Sequence, residues 1–163
     1  MPSIAYLSLG SNVGDRMKNL RQAITSLVAV GKVVKTSSFY ETQPVEFQEQ
    51  AWFINCVVEL ETDHSPQGLM AGLLKIERKM GRQRNLPKGP RSIDLDIVLY
   101  EKQVIDEDGL KVPHAAMHER RFVLAPLAEI APDAIHPVFM RSASELLKSL
   151  TDNNDAVKKL AGE

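Results

Sequence analysis

Cysteine is almost missing from this chain. Cys56 is its single example in 163 residues, which excludes an internal disulfide and a cysteine-based metal site. Cys56 falls inside a strand-like apolar run, so it reads as a buried reduced thiol rather than a nucleophile. An excess of charge is also missing. Twenty Lys and Arg balance 21 Asp and Glu, leaving a formal net charge of -1, so there is no general pull towards nucleic acid or an anionic membrane. Any polyanion site must then be a local concentration of arginine and lysine. No apolar run approaches the roughly 18 residues needed to cross a bilayer. No basic region followed by an apolar stretch of signal-peptide length stands at the N-terminus. The expected location is cytoplasmic. Internal repeats and low-complexity linkers are lacking too.

What is present is ordinary for a globular protein: 44% hydrophobic and 25% charged residues. The length suits one domain, 1–163, large enough to bury a core. Ile4 to Leu9 predicts a first strand, stopped by the turn-rich Gly10 to Asp15. Asp15 or Asn12 can cap the helix marked by Met17, Leu20, Ile24 and Leu27, with Gly31 as its stop. The Gly10 to Gly14 segment lacks the lysine and spacing of a Walker loop and the three glycines of a dinucleotide fingerprint, so it reads as turn chemistry. Val33 to Tyr40 predicts a second strand, ended by Pro44, and Ala51 to Leu60 a third. Ser65-Pro66 opens a helix with the stripe Leu69, Leu73, Ile76 and Met80, ending at Gly81. Beyond Tyr100 a small hairpin through Asp106 to Gly109, a helix from about Met117 to Ile130, and a last helix from Ser142 to Leu150 are expected. A loop spans Asp133 to Pro137, and the final dozen residues read as frayed or loosely helical.

Two stretches carry chemistry. Arg82 to Arg91 holds Arg82, Arg84, Lys88 and Arg91 among two prolines and a glycine, a basic loop whose arginine forks fit phosphate oxygens. It runs directly into the strand Asp94 to Tyr100. Residues i and i+2 of a strand share a face, which puts Asp94 and Asp96 beside Val98 and Tyr100, with Leu95, Ile97 and Leu99 on the core side. Two steps of about 3.3 Å place the carboxylates roughly 6.6 Å apart along the chain. Such a pair suits magnesium; the alternative is a solvated strand edge with two surface aspartates. Phosphate-holding cations next to metal-holding anions are the parts that phosphoryl transfer uses. On the third strand, Phe53 and Asn55 put a ring beside an amide, which can stack on a flat heterocycle and read its edge; ordinary core and a strand-edge polar residue are the alternatives. Glu77 sits beside the apolar stripe of its helix, able to meet a ligand or to pair with Lys75 or Arg78.

The order strand, helix, strand, strand, helix, strand predicts an α+β fold: a ferredoxin-like βαββαβ antiparallel sheet with helices on its face and extra C-terminal helices. That architecture decides nothing about activity.

With these residues in view, the chain resembles the 6-hydroxymethyl-7,8-dihydropterin pyrophosphokinases of folate biosynthesis. Gly89-Pro90-Arg91-x-x-Asp94-Leu95-Asp96-Ile97 resembles that family's signature. Leu9-Gly10-Ser11-Asn12, Ser37-Ser38-Phe39-Tyr40-x-Thr42-x-Pro44, Asn55, Glu77 and Val112-Pro113-His114 follow in the expected order. The resemblance implies an ATP-dependent transfer of pyrophosphate to the pterin hydroxymethyl group, with release of AMP. It implies two magnesium ions held by Asp94 and Asp96. Phe53 and Phe122 would sandwich the pterin, while Asn55, the Thr42 carbonyl or hydroxyl, and backbone near Pro44 and Val45 would bond its edge. Glu77, Ile97, His114 and Arg120 would line the nucleotide site. Arg82, Arg84, Lys88 and Arg91 would meet the phosphates, with Arg82 and Arg91 serving catalysis. Lys88 stands where some members carry a tryptophan, Gln43 and Ala115 replace a proline and a tyrosine, and Phe53 replaces a tyrosine.

The loops Thr42 to Gln50 and Arg82 to Pro90 are expected to be mobile without ligand and to close on ATP. Expected partners are the two small substrates, without nucleic acid or membrane, for a monomer, with a dimer as the alternative. A ferredoxin-like RNA binder is a competing reading, but the RNP aromatic pattern is missing and the pI near 6.4 gives no basic face. A two-metal phosphohydrolase accounts for the aspartates but not for Phe53, Asn55 and Phe122 together.

Overall fold

An inner strand of the sheet, β1 (Ser3–Ser11), buries Ala5, Leu7 and Leu9 on one face by alternation and turns Tyr6 and Ser8 to the other. The computed structural model describes residues 2–42, 52–81, 92–150 and 157–160. On one side β1 pairs antiparallel with β4 (Phe53–Thr62), and on the other with β5 (Asp94–Tyr100). The strand after α1 (Arg16–Ser26) forms the edge beyond β4. It comes as two pieces, β2 (Lys32–Thr36) and β3 (Tyr40–Thr42), both paired with β4. Helix α2 (Pro66–Lys79) connects β4 to β5. This is the expected ferredoxin-like order.

Local chemistry accounts for the ends. Asp15, not Asn12, caps α1 by accepting from the Lys18 N–H at 3.1 Å. Ser65 caps α2 with Pro66 in its first turn. Leu20 and Ala23 from α1, and Leu27 just after it, pack with Leu69, Leu73 and Ile76 from α2 over the face of Leu7, Leu9, Cys56, Val58 and Leu95. Cys56 is a free, fully buried thiol. The C-terminal helices α3 (Arg121–Ile130) and α4 (Ala143–Ser149) close the opposite face over Val57, Val98 and Leu99. Ser142 and Glu145 form a capping box at α4.

Several expectations need correction. Gly10 and Ser11 belong to β1 rather than to a turn, because β4 and β5 both reach far enough to pair with Gly10. The predicted strand Val33 to Tyr40 breaks at Ser37–Phe39. There the Ser37 hydroxyl takes the place of a backbone acceptor for the Val57 N–H, at 2.9 Å. The third strand runs two residues later than predicted. The helix expected from Met117 splits into a 3-10 turn, Met117–Glu119, and α3, because Arg120 between them is extended. The loop Asp133 to Pro137 contains β8 (Ile135–His136), paired with β9 (Arg141–Ser142). The frayed C-terminal segment instead contributes β10 (Val157–Lys159), which pairs with β3. The open edge of β3 presents unpaired backbone groups with which that segment pairs. The hairpin near Asp106 is present as β6 (Ile105–Glu107) and β7 (Leu110–Val112).

The largest departure lies in β5. Tyr6 pairs with Leu99 and Leu7 with Ile97, so Val98 is an extra residue against β1. Such a bulge reverses the alternation beyond it. Asp94 and Asp96 keep the predicted face. Past the bulge, Tyr100 joins the core under α1 and α2, and Leu99 the core under α3, the opposite of what unbroken alternation predicts.

Candidate active site

Cross-strand partners share a face, so the register can be read as rows across the sheet. Tyr40, Asn55, Gly10 and Asp94 form one row. Val57, Ser8 and Asp96 form the next, and Thr42 pairs with Phe53 on the other side. By alternation Thr42, Phe53, Asn55, Asp94 and Asp96 lie on the face that α3 and α4 cover only in part. Phe53, Asp94 and Asp96 are half-buried, whereas Thr42 and Asn55 are buried. The two most specific sequence signals, far apart in the chain, thus meet on one open end of the sheet.

Gly10 lies at the middle of this arrangement. A Cβ there would fall 2.6 Å from Asn55 Nδ2 and 3.4 Å from Phe53 Cδ1. Real contacts of that kind do not reach 2.6 Å, so glycine is what lets the Asn55 amide lie across β1. Sequence reasoning missed it by reading Gly10 as punctuation, because its pairing shows only once β4 and β5 are in place beside it. Thr42 donates its hydroxyl hydrogen bond to Asn55 Oδ1 at 2.6 Å.

On the acidic side, Glu77 is 1% exposed and turns its carboxylate to the backbone of β5, accepting from the Leu95 N–H at 2.7 Å. Leu95 lies between the two aspartates, so this buried carboxylate holds the backbone that sets their spacing. Ile97 points its side chain into the core below α1 and α2, which leaves only its backbone to offer a nucleotide. The bulge at Val98 recruits His114, whose N–H donates to the Val98 carbonyl at 3.0 Å. His114 Nδ1 accepts from the Ala116 N–H at 3.3 Å, so the neutral ring carries its proton on Nε2. Burial, and next the charge of Arg120, lower its pKa below the ordinary value, while Asp94 opposes them. Arg120 lies over the Phe122 ring at 5.5 Å, and Phe122 packs half-buried against the α3 core.

A clamp that sequence reasoning also missed joins α3 to the broken edge strand. Glu129 accepts from the Ser38 N–H at 3.1 Å, the Ser38 hydroxyl at 2.8 Å and the Tyr40 hydroxyl at 2.7 Å. Those bonds outweigh its burial and hold its pKa low. Helix α3, which starts at Phe122's turn, is thereby tied to the strand that ends at Thr42. Pro44, Val45, Arg82, Arg84, Lys88 and Arg91 lie outside the described residues. So do the two loops expected to close on ATP, apart from Thr42.

Among the described residues no group of three or more His, Cys, Asp or Glu could hold a metal ion. Asp94 and Asp96 nonetheless fit magnesium, which is commonly bound by one or two carboxylates together with substrate phosphates rather than by an all-protein cage.

Among solved structures, wild-type Plasmodium falciparum HPPK-DHPS with pterin and p-hydroxybenzoate matches 91% of this chain and 43% of its own, with a TM-score of 0.71 and 18% identity. That likeness shows the fold, and the class is an α+β fold of the ferredoxin-like kind. The family model for 7,8-dihydro-6-hydroxymethylpterin-pyrophosphokinase matches residues 6–132. The 2-amino-4-hydroxy-6-hydroxymethyldihydropteridine pyrophosphokinase of Bacillus subtilis is 49% identical over 80% of this chain and 79% of its own. The folic acid synthesis protein fol1 of Schizosaccharomyces pombe is 42% identical over 90% of this chain, which spans only 20% of that protein. The chain belongs to the 7,8-dihydro-6-hydroxymethylpterin-pyrophosphokinase family.

Proposed function

We propose that this chain, as a single domain over 1–163, transfers pyrophosphate from ATP to the hydroxymethyl group of 6-hydroxymethyl-7,8-dihydropterin and releases AMP. The observation that carries this reading is the row Asn55–Gly10–Asp94. Two strand steps of about 4.8 Å separate an amide reader from a carboxylate pair by roughly 10 Å, a span suited to a flat acceptor on one side and a phosphate chain on the other. The hydroxymethyl oxygen bonds to the β-phosphorus, the bond from that phosphorus to the oxygen of AMP breaks, and the hydroxyl proton leaves to solvent.

In this reading Phe53 and Phe122 stack on the pterin and exclude water from its faces. Asn55 bonds its edge, with help from Thr42, Pro44 and Val45. Asp94 and Asp96 hold two magnesium ions, which when bound neutralise phosphate charge. Arg82 and Arg91 serve catalysis by stabilising the oxygens that gain charge, and Arg84 and Lys88 help hold the phosphates. The Ile97 backbone, His114 and Arg120 line the nucleotide side, and Glu77, expected among them, serves from behind by holding the β5 backbone. Positioning and charge stabilisation supply most of such catalysis, so no strong side-chain base is required. No described helix is long and apolar enough to cross a membrane; we place the protein in the cytoplasm, as a monomer with small-molecule partners only.

The test supplies ATP, magnesium and hydroxymethyl-dihydropterin and follows the nucleotide product. AMP should accumulate in step with the pterin pyrophosphate. Accumulation of ADP or phosphate overturns the reaction, and tight, salt-sensitive RNA binding without turnover favours an RNA-binding domain.

A further inference from the structure

The expected pterin contacts treat Thr42, through its carbonyl or hydroxyl, and the Asn55 amide as two separate readers of the ring edge. Their geometry shows one unit. Both side chains are buried, Thr42 to 2% exposure and Asn55 to 5%, and the hydroxyl donates to Oδ1 at 2.6 Å. That separation lies in the range of an O–H···O bond and is too short for an N–H···O bond, so the amide oxygen faces β3. The amide nitrogen then faces β1, in the space kept open because residue 10 has no Cβ. Asparagine's two ends are nearly equal in shape and opposite in hydrogen-bonding sense. A freely turning amide would read an acceptor–donor edge as readily as a donor–acceptor edge. This one cannot turn without exchanging a short O–H···O bond for a longer contact.

We infer that Thr42 is a positioning residue whose hydroxyl, together with the bare Cα of Gly10, sets the polarity with which Asn55 reads the heterocycle. The inference rests on the pterin reading of the site. Asn55 then presents Nδ2 donors on the β1 side and one remaining Oδ1 lone pair on the β3 side. It selects a ring edge with an acceptor on the β1 side, towards Asp94, and a donor on the β3 side. With its proton committed, the Thr42 hydroxyl cannot donate to the ring, so any contact from Thr42 is an accepting one, from its backbone carbonyl or a hydroxyl lone pair.

Thr42→Val keeps the shape and removes the donor; Thr42→Ser restores the donor. With Thr42→Val, the KM for the pterin should rise about tenfold while the KM for ATP stays within about twofold, the scale of one lost orienting hydrogen bond. Thr42→Ser should recover most of the affinity. Gly10→Ala, which crowds the same amide from the other side, should reproduce the pterin-selective loss. On the free protein, solvent exchange of the Asn55 side-chain amide protons, followed by NMR, should accelerate in Thr42→Val and return towards the wild-type rate in Thr42→Ser. An unchanged pterin KM and amide exchange in Thr42→Val overturns the inference, and so does a Thr42→Ser variant as impaired as Thr42→Val. If the wild type makes no AMP, the proposed reaction fails, and the exchange measurement alone still decides whether Thr42 locks Asn55.

Discussion

Helix α3 covers one end of a sheet face and leaves the other end open, and on β5 the bulge at Val98 lies at the covered end. At the covered end Val57, Val98 and Leu99 meet Leu124 and Leu127. At the open end the same strands present Asn55, two residues from Val57, and Asp96 and Asp94, two and four residues from Val98. The covered end is stabilised by apolar burial. The open end carries polar groups whose positions are held from elsewhere: Thr42 beside Asn55, Glu77 behind the aspartates, and Glu129 across the edge strand. The difference teaches that a face of one sheet can serve as core and as site, provided the backbone under the site is tied down by bonds that a ligand does not use.

Removing a carboxylate from the open end tests that division most severely. Asp96→Ala should lower turnover by about a hundredfold or more, the scale of lost stabilisation of charge at a transferring phosphoryl group, with an unchanged circular dichroism spectrum. Near-normal AMP production in that variant sinks the assignment of Asp94 and Asp96 to metal. Next comes the support behind them. Glu77→Ala leaves the buried Leu95 N–H without its carboxylate partner, at a cost of about 1–3 kcal/mol. Denaturant unfolding should show that loss and Glu77→Gln should show less of it; equal stability of all three proteins would contradict the positioning role.

Phe122→Ala acts at the boundary between the two ends. It should weaken pterin binding about tenfold, from lost stacking and burial, and ATP binding much less. Equal losses in titration calorimetry would argue against a ring sandwich. The smallest effect belongs to the covered end. His136 is buried, accepts from the Val138 and Phe139 N–H groups at Nδ1, and has its pKa lowered by burial and then by His118. Between its folded pKa and the ordinary value near 6.5 the unfolded chain binds more protons, so stability rises with pH there and levels off above it. Thermal melts should therefore fall as pH drops from 7.5 to about 5.5, and the slope should flatten in His136→Gln. An equal slope in that variant would place the titration elsewhere.

Much of this was legible residue by residue. Caps at Asp15, Ser65 and Ser142, the buried stripes of α1 and α2, the hairpin at Gly109 and the shared face of Asp94 and Asp96 all follow from local rules, and all are present. The errors have a common origin. Gly10 read as a turn because only its two partner strands reveal that it is paired. Tyr100 was assigned to the wrong face because a bulge is a property of two strands, and nothing in Asp94 to Tyr100 alone shows that Val98 is the extra residue. The terminal segment looked frayed because its partner, β3, lies more than a hundred residues earlier.

By itself, then, the sequence determined the kinds of elements, their caps, the side of β5 that carries the aspartates, and the motifs that place the chain in its family. Those depend on turns, periodicity and residue chemistry over short stretches. Only the tertiary structure decided that Gly10 opens the space for Asn55, that Thr42 spends its hydroxyl on that amide, that Glu77 faces backbone, and that Glu129 ties α3 to the edge strand. Each of these joins groups distant in the chain, and strand register and helix docking, not local preference, bring such groups within hydrogen-bond reach.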